Sequence, residues 1–196
     1  MLKYSYIKSL VVVILLLSAS VHCAQSKTDS IIKANKACEN IEQIAALYAA
    51  LYGLDSISER LDYVSFGIEK SKQLDYTKGL MQMQYLKAVT YDLIESYDDA
   101  IIYFQNAIKS AEVLQDSAYL RFCYMSIGGI NLEVENYEQA KKDFFVGLKY
   151  ANNSLTKSVD IYNYLGTLYK ELGVVDSSLY YHNKTLQLRE IENDTL

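Results

Sequence analysis

A self-similarity with a period of about 40 residues constrains this chain more than any other feature. Tyr85–Asp116 reads YLKAVTYDLIESYDDAIIYFQNAIKSAEVLQD, two amphipathic stretches joined by Glu95-Ser96-Tyr97-Asp98. Ala88 and Tyr91 stand three apart on the first stretch, and Ala100, Phe104 and Ala107 recur at i, i+4 and i+7 on the second. Small residues at Ala88, Ala100 and Ala107 let two helix backbones approach closely, and Tyr91 and Phe104 are expected to fill the space between them. One period on, Gly128, Tyr137, Ala140, Phe144 and Gly147 take the corresponding places. The next copy is slightly shorter and brings Gly166, Ser178, His182 and Thr185 to the same register, with Tyr169 in the same copy. One period back, Tyr63, Gly67, Ile68 and Leu74 match Tyr103, Ala107, Ile108 and Leu114. One helical hairpin cannot bury its apolar face alone, so four copies imply a stack of hairpins.

The pattern aromatic-x2-Leu-Gly-x2-Tyr, then a turn, then Ala-x3-Phe-x2-Ala, resembles the tetratricopeptide repeat (TPR). Its first half is best kept as Tyr162-x2-Leu165-Gly166-x2-Tyr169. Its second half is best kept as Ala100-x3-Phe104-x2-Ala107 and Ala140-x3-Phe144-x2-Gly147. The resemblance covers residues 36–190 and implies an all-α, right-handed superhelical solenoid of about eight helices. Three departures stand out: a period longer than the usual ~34 residues, no proline to close each repeat, and no tryptophan. The spacing predicts helices over 36–53, 57–74, 78–95, 97–115, 118–135, 137–152, 157–172 and 175–190, leaving 191–196 as a tail.

Composition fits this reading. Half the residues are hydrophobic, there is no proline, and nineteen tyrosines stand against five phenylalanines, so many core rings carry a hydroxyl that needs a partner or water. The net charge of −5 becomes −7 if the segment bearing Lys3 and Lys8 is removed. An acidic chain without a basic stripe is a poor candidate for nucleic acid or for an anionic membrane surface. The motifs of metal, nucleotide and nucleophile chemistry are absent, so no catalytic residue, cofactor or metal is expected. His182 occupies the place of Phe104 and reads as a core-edge residue, and Gly128-Gly129 falls inside a helix rather than in a phosphate loop.

Residues 1–24 combine Lys3 and Lys8, the apolar run Leu10–Leu17 and the small-residue tail Ser18-Ala19-Ser20, the arrangement of a secretory signal. The expected location is therefore outside the cytoplasm, in the periplasm or attached to a membrane of the envelope. Cys23 resembles a lipoprotein acylation site, although His22 precedes it where a small residue is usual. Cleavage near Cys23–Gln25 with release of the protein is the competing reading. Residues 25–35 read as a polar tether. Cys38 and Cys123 fall on first helices two repeats apart, roughly 20 Å by stacking, too far for a disulfide and consistent with two buried small hydrophobes. Asp-Ser/Thr-apolar triplets begin at Asp29, Asp55, Asp116 and Asp194. They resemble an O-glycosylation pattern of some exported bacterial proteins, but helix capping is the simpler use of these residues.

In a TPR-like stack the first helix of each pair lines a concave groove that takes an extended peptide or a partner helix. Here that face is expected to offer Met81, Tyr85, Val89 and Asp92, then Phe122, Met125 and Glu133, then Asn163, Thr167, Lys170 and Glu171. The Lys/Asn-rich clamp by which some TPR domains hold a C-terminal carboxylate is missing. The last helix carries Leu179, Tyr180, Leu186, Leu188 and Ile191 with no capping helix after it. Three functions follow as expectations. The leading one is a non-catalytic adaptor in the bacterial envelope holding a protein or peptide partner in the groove. The others are the extracytoplasmic sensory part of a signalling regulator whose chain continues past Leu196, and a structural homo-oligomer closed through the last helix.

Overall fold

The computed structural model describes residues 39–151 and 154–194, and every regular element in them is an α-helix. The signal segment, Cys23, the tether, Cys38, the triplet at Asp29 and the end of the triplet at Asp194 lie outside these residues. The helices are α1 (Ile41–Leu51), α2 (Ile57–Gln73), α3 (Thr77–Asp92), α4 (Tyr97–Leu114), α5 (Ser117–Glu133), α6 (Tyr137–Tyr150), α7 (Leu155–Glu171) and α8 (Val175–Asp194). The last helix runs beyond the end expected from the pattern and takes in much of the supposed tail. The chain divides into two units, with the boundary between Gly79 and Leu80.

In the first unit α1 packs against α2. Ile44, Leu47, Leu51 and Leu54 are buried from one side, Val64 and Ile68 from the other. Asn40 caps α1 by accepting from the Gln43 amide, and Ser56 caps α2 by accepting from the Glu59 amide. The Arg60 guanidinium donates to the Leu54 carbonyl and ties the intervening turn to α2.

In the second unit short turns return each helix alongside its predecessor, and four of these turns share one device. Glu95, Gln115 and Glu135 adopt left-handed backbone at φ 58°, 54° and 60°, and Gly173 does so at 71°. At each, the next amide reaches back to a carbonyl of the last helical turn: Ser96 to Tyr91, Asp116 to Ala111, Asn136 to Asn131 and Val174 to Tyr169, at 2.7–3.0 Å. This is the Schellman closure, and it stops each helix where proline does so in other repeats. Asp75 ends α2 in the same way, its neighbour Tyr76 donating to the Ser71 carbonyl. The even recurrence at Asp75, Glu95, Gln115 and Glu135 marks the half-repeat, one helix and one turn. Asp116 also caps α5 by accepting from the Ala118 and Tyr119 amides. Capping is therefore the role the structure shows for Ser56 and Asp116.

The core repeats a single contact. In the three hairpins of the second unit an aromatic residue of the second helix lies over an alanine or a glycine of the first. Ala88 and Phe104 are both fully buried in one cluster. A methyl group added at Gly128 would stand 2.6 Å from the Phe144 ring, and one at Gly166 would stand 2.6 Å from the His182 ring. His182 is half-buried, at the core edge as expected. Tyr91 packs against the cluster of Ala88 and Phe104 and also stacks on Tyr103, with ring centroids 5.6 Å apart. Cys123 is free and buried, and burial pushes its thiol up to about 12.

The two neighbouring glycines of α5 should respond oppositely to alanine. Gly128→Ala gains about 1 kcal/mol of helix propensity but forces a methyl into a fully buried ring, at a cost of about 1–3 kcal/mol. Gly129→Ala meets only Tyr164 at 3.6 Å, an ordinary contact. Chemical denaturation should show Gly128→Ala destabilised and Gly129→Ala unchanged or up to ~1 kcal/mol more stable.

Candidate functional site

Helices α3, α5 and α7 are the first members of successive hairpins, and their C-terminal ends frame a cavity of about 300 Å³. Asp92, Leu93 and Glu95 come from the end of α3 and the turn after it, and Tyr97 from the start of α4. Ser126, Gly129, Ile130 and Glu133 come from α5, and Tyr164 from α7. Ser126, Gly129, Ile130 and Glu133 share a face because they recur at i, i+3, i+4 and i+7. Gly129 faces the Tyr164 ring, which stacks on Phe144 with centroids 5.3 Å apart.

The charge of this cavity is one-sided. It has three carboxylates, and no lining residue is basic. Asp92 and Glu133 also sit in the last turns of their helices, where the unpaired carbonyls are already negative and a cation is the favoured neighbour. The Asp92 carboxyl is raised above its usual range, first by burial and then by the Glu133 charge. The Tyr97 and Tyr164 hydroxyls are raised as well, by desolvation first and then by the surrounding carboxylates. The charge and the helix ends together favour a positive group in this cavity. Among the described residues no group of three His, Cys, Asp or Glu is arranged to hold a metal ion.

Toward the middle of α3 and α5 the surface becomes aromatic. Tyr85 lies edge-on to Phe104 at 5.7 Å and to Tyr119 at 5.3 Å, and its centroid is 6.4 Å from that of Phe122. The buried Arg121 guanidinium rests on the Phe122 ring at 4.1 Å, its pKa lowered by burial and partly restored by Asp160 and Tyr85.

The expected groove residues divide accordingly. Asp92 and Glu133 meet in the cavity, and Tyr85 meets Phe122 in the aromatic patch. Val89 and Met125 are half-buried against the core clusters. Met81 is a correction. It is fully buried in the core because its side chain points into the hairpin, so it offers nothing to a groove. Asn163, Thr167, Lys170 and Glu171 lie on α7 outside the cavity, Lys170 paired at 3.9 Å with Glu171. Glu95 and Tyr164 were missed. Tyr164 takes in its copy the register place that Ser126 holds in the copy before, so the repeat carried a usable signal for it.

No protein-family model matches the chain, and no curated protein matches it either. Solved structures do. BtubC from P. vanneervenii superposes with a TM-score of 0.67 at 17% identity, covering 88% of this chain and 72% of its own. MamA gives 0.65 at 15% identity over 85% and 89%, and the apo form of RapI gives 0.71 at 14% over 90% and 64%. These neighbours are TPR-like helical repeat proteins. The fold is TPR-like. At such identities the likeness speaks for the architecture alone.

The TPR-like cavity makes one electrostatic prediction. Glu133→Gln removes the charge that adds to the burial of Asp92. Carboxyl titration by NMR should show the Asp92 pKa falling but staying above the usual aspartate value, because burial is the larger cause.

Proposed function

We propose that this chain is a non-catalytic protein–protein interaction module, an adaptor that holds a peptide or helix of a partner along α3, α5 and α7. The observation that carries the reading is the pairing of the Tyr85–Phe122 aromatic patch with a cavity lined by Asp92, Glu95 and Glu133. Such a surface suits a segment with an apolar or aromatic anchor followed by lysine or arginine. The N-terminal pattern of Lys3, Lys8, Leu10–Leu17 and Ser18-Ala19-Ser20 supports action outside the cytoplasm. Cys23 is the candidate point of lipid attachment there.

A second reading rests on α8. Leu179, Tyr180, Leu186 and Ile191 are each more than half exposed, whereas Leu188, expected among them, is buried. An apolar face of this kind suits closure by a second copy of the chain.

Two measurements separate these readings. A library of apolar-basic peptides should contain ligands whose affinity drops at least about tenfold, or ~1.4 kcal/mol, in the double variant Asp92→Asn with Glu133→Gln. The same affinity should weaken with salt and be unchanged by Leu186→Glu. Light scattering should show a monomer whose mass Leu186→Glu does not alter. A dimer dissociated by Leu186→Glu, together with no peptide sensitive to the groove carboxylates, would favour the homo-oligomer instead.

A further inference from the structure

A further cavity of the second unit lies outside the groove. It is a cleft of about 460 Å³ between α4 and α6, floored by the side of α5 that faces away from Ser126 and Gly129. Ile101, Ile108 and Ile127 supply apolar walls. Tyr124 adds an aromatic wall, fixed by parallel stacking on Tyr150 at 5.9 Å. Asn131 and Asp143 form the floor.

The repeat register explains why the cleft is open. Asn131 and Asp143 hold the places of Tyr91 and Tyr103 in the copy before, and of Tyr169 and Tyr181 in the copy after. Both flanking pairs are stacked tyrosines, with centroids 5.6 and 5.5 Å apart. Both also carry ammonium groups on their rings. Lys87 lies 4.5 Å from the Tyr103 centroid, and Lys141 lies 5.6 Å from that of Tyr169. In the central copy two small polar side chains replace the rings, and the Asn131 amide donates to Asp143 Oδ2 at 3.0 Å.

Asp143 is 6% exposed. The Gln139 amide donates to its other oxygen at 3.0 Å, so both contacts are neutral amides. No lysine or arginine forms an ion pair with it among the described residues. Lys109 stands at the mouth of the cleft, and Lys142 contributes only the weakest of the influences on the carboxyl. Burial is the strongest and pushes its pKa up. The cleft thus lacks the paired tyrosine rings that hold the same register on either side, and it presents a buried carboxylate, with the Lys109 ammonium among its lining groups.

We propose that this cleft is a binding site for a small arylalkyl ammonium ligand, its ring against Tyr124 and the isoleucines and its cation on Asp143. The volume lies within the ~300–1,000 Å³ usual for small-molecule sites. A carboxylate at the end of an aromatic-walled cleft is what such a cation requires. The site is separate from the proposed protein-binding groove and does not depend on it.

The test is titration of the isotope-labelled full chain with 2-phenylethylamine, with 2-phenylethanol and 3-phenylpropionate as neutral and anionic controls. Saturable NMR shifts are expected at Tyr124, Ile127 and the side-chain amides of Asn131 and Gln139. The alcohol and the acid should bind at least about tenfold more weakly. Asp143→Asn keeps the shape, with Gln139 free to turn its amide, and should weaken the amine about tenfold while leaving the alcohol unchanged. Asn131→Tyr with Asp143→Tyr restores the tyrosine pair of the flanking repeats and should abolish binding in a folded chain. Glu133→Gln should have no effect. Equal binding of amine and alcohol, indifference to Asp143→Asn, shifts confined to Asp92 and Glu133, or no saturable shift at all would overturn the proposal.

Discussion

The second unit depends on the close approach of two helices where one of them has almost no side chain. Phe104, Phe144 and His182 occupy one register position, and Ala88, Gly128 and Gly166 occupy the position facing it. A ring can lie flat on a helix backbone only if the Cβ beneath it is small or missing. That contact sets the hairpin spacing and with it the register of every other pair. Dense packing makes such a position intolerant of even one extra methyl group. The descent from alanine to glycine and from phenylalanine to histidine shows the contact conserving its geometry while its chemistry changes from copy to copy.

Once spacing is fixed, variation at the remaining positions becomes functional. The register position of Ser126 holds Tyr164 in the next copy, which places an aromatic wall beside the carboxylates of α3 and α5. The register position of Tyr91 and Tyr169 holds Asn131, and that of Tyr103 and Tyr181 holds Asp143. The same scaffold thereby closes one cleft with stacked rings and opens the next. Each of these two concavities arises where one copy departs from its neighbours: Tyr164 brings an aromatic wall to the carboxylates of the groove, and Asp143 brings a carboxylate to an apolar cleft.

Most of the fold was legible because the repeat reports it several times over. Ala100-x3-Phe104-x2-Ala107 and Ala140-x3-Phe144-x2-Gly147 fix helix phase and pairing together. The turns were less legible. Left-handed backbone is announced by glycine at Gly173 alone, while Glu95, Gln115 and Glu135 carry it without a compositional sign. The site was only partly legible, because helical phase gives a face and not a depth. Met81 and Tyr85 lie four apart on α3, yet Met81 turns into the core while Tyr85 reaches Phe122. Glu95 was hidden for another reason. It belongs to a turn, and only the Schellman closure brings it back toward Asp92.

The central claim is that the α3–α5–α7 surface holds another polypeptide. Photo-crosslinking in the source cells tests it most directly, with the crosslinking residue placed at Ser126 in the groove and separately at Leu186 on the last helix. The account predicts a discrete adduct from Ser126, mapping to a segment of another protein in which an apolar anchor is followed within a few residues by lysine or arginine. No adduct from Ser126, with Leu186 joined to a second copy of this chain, would contradict it.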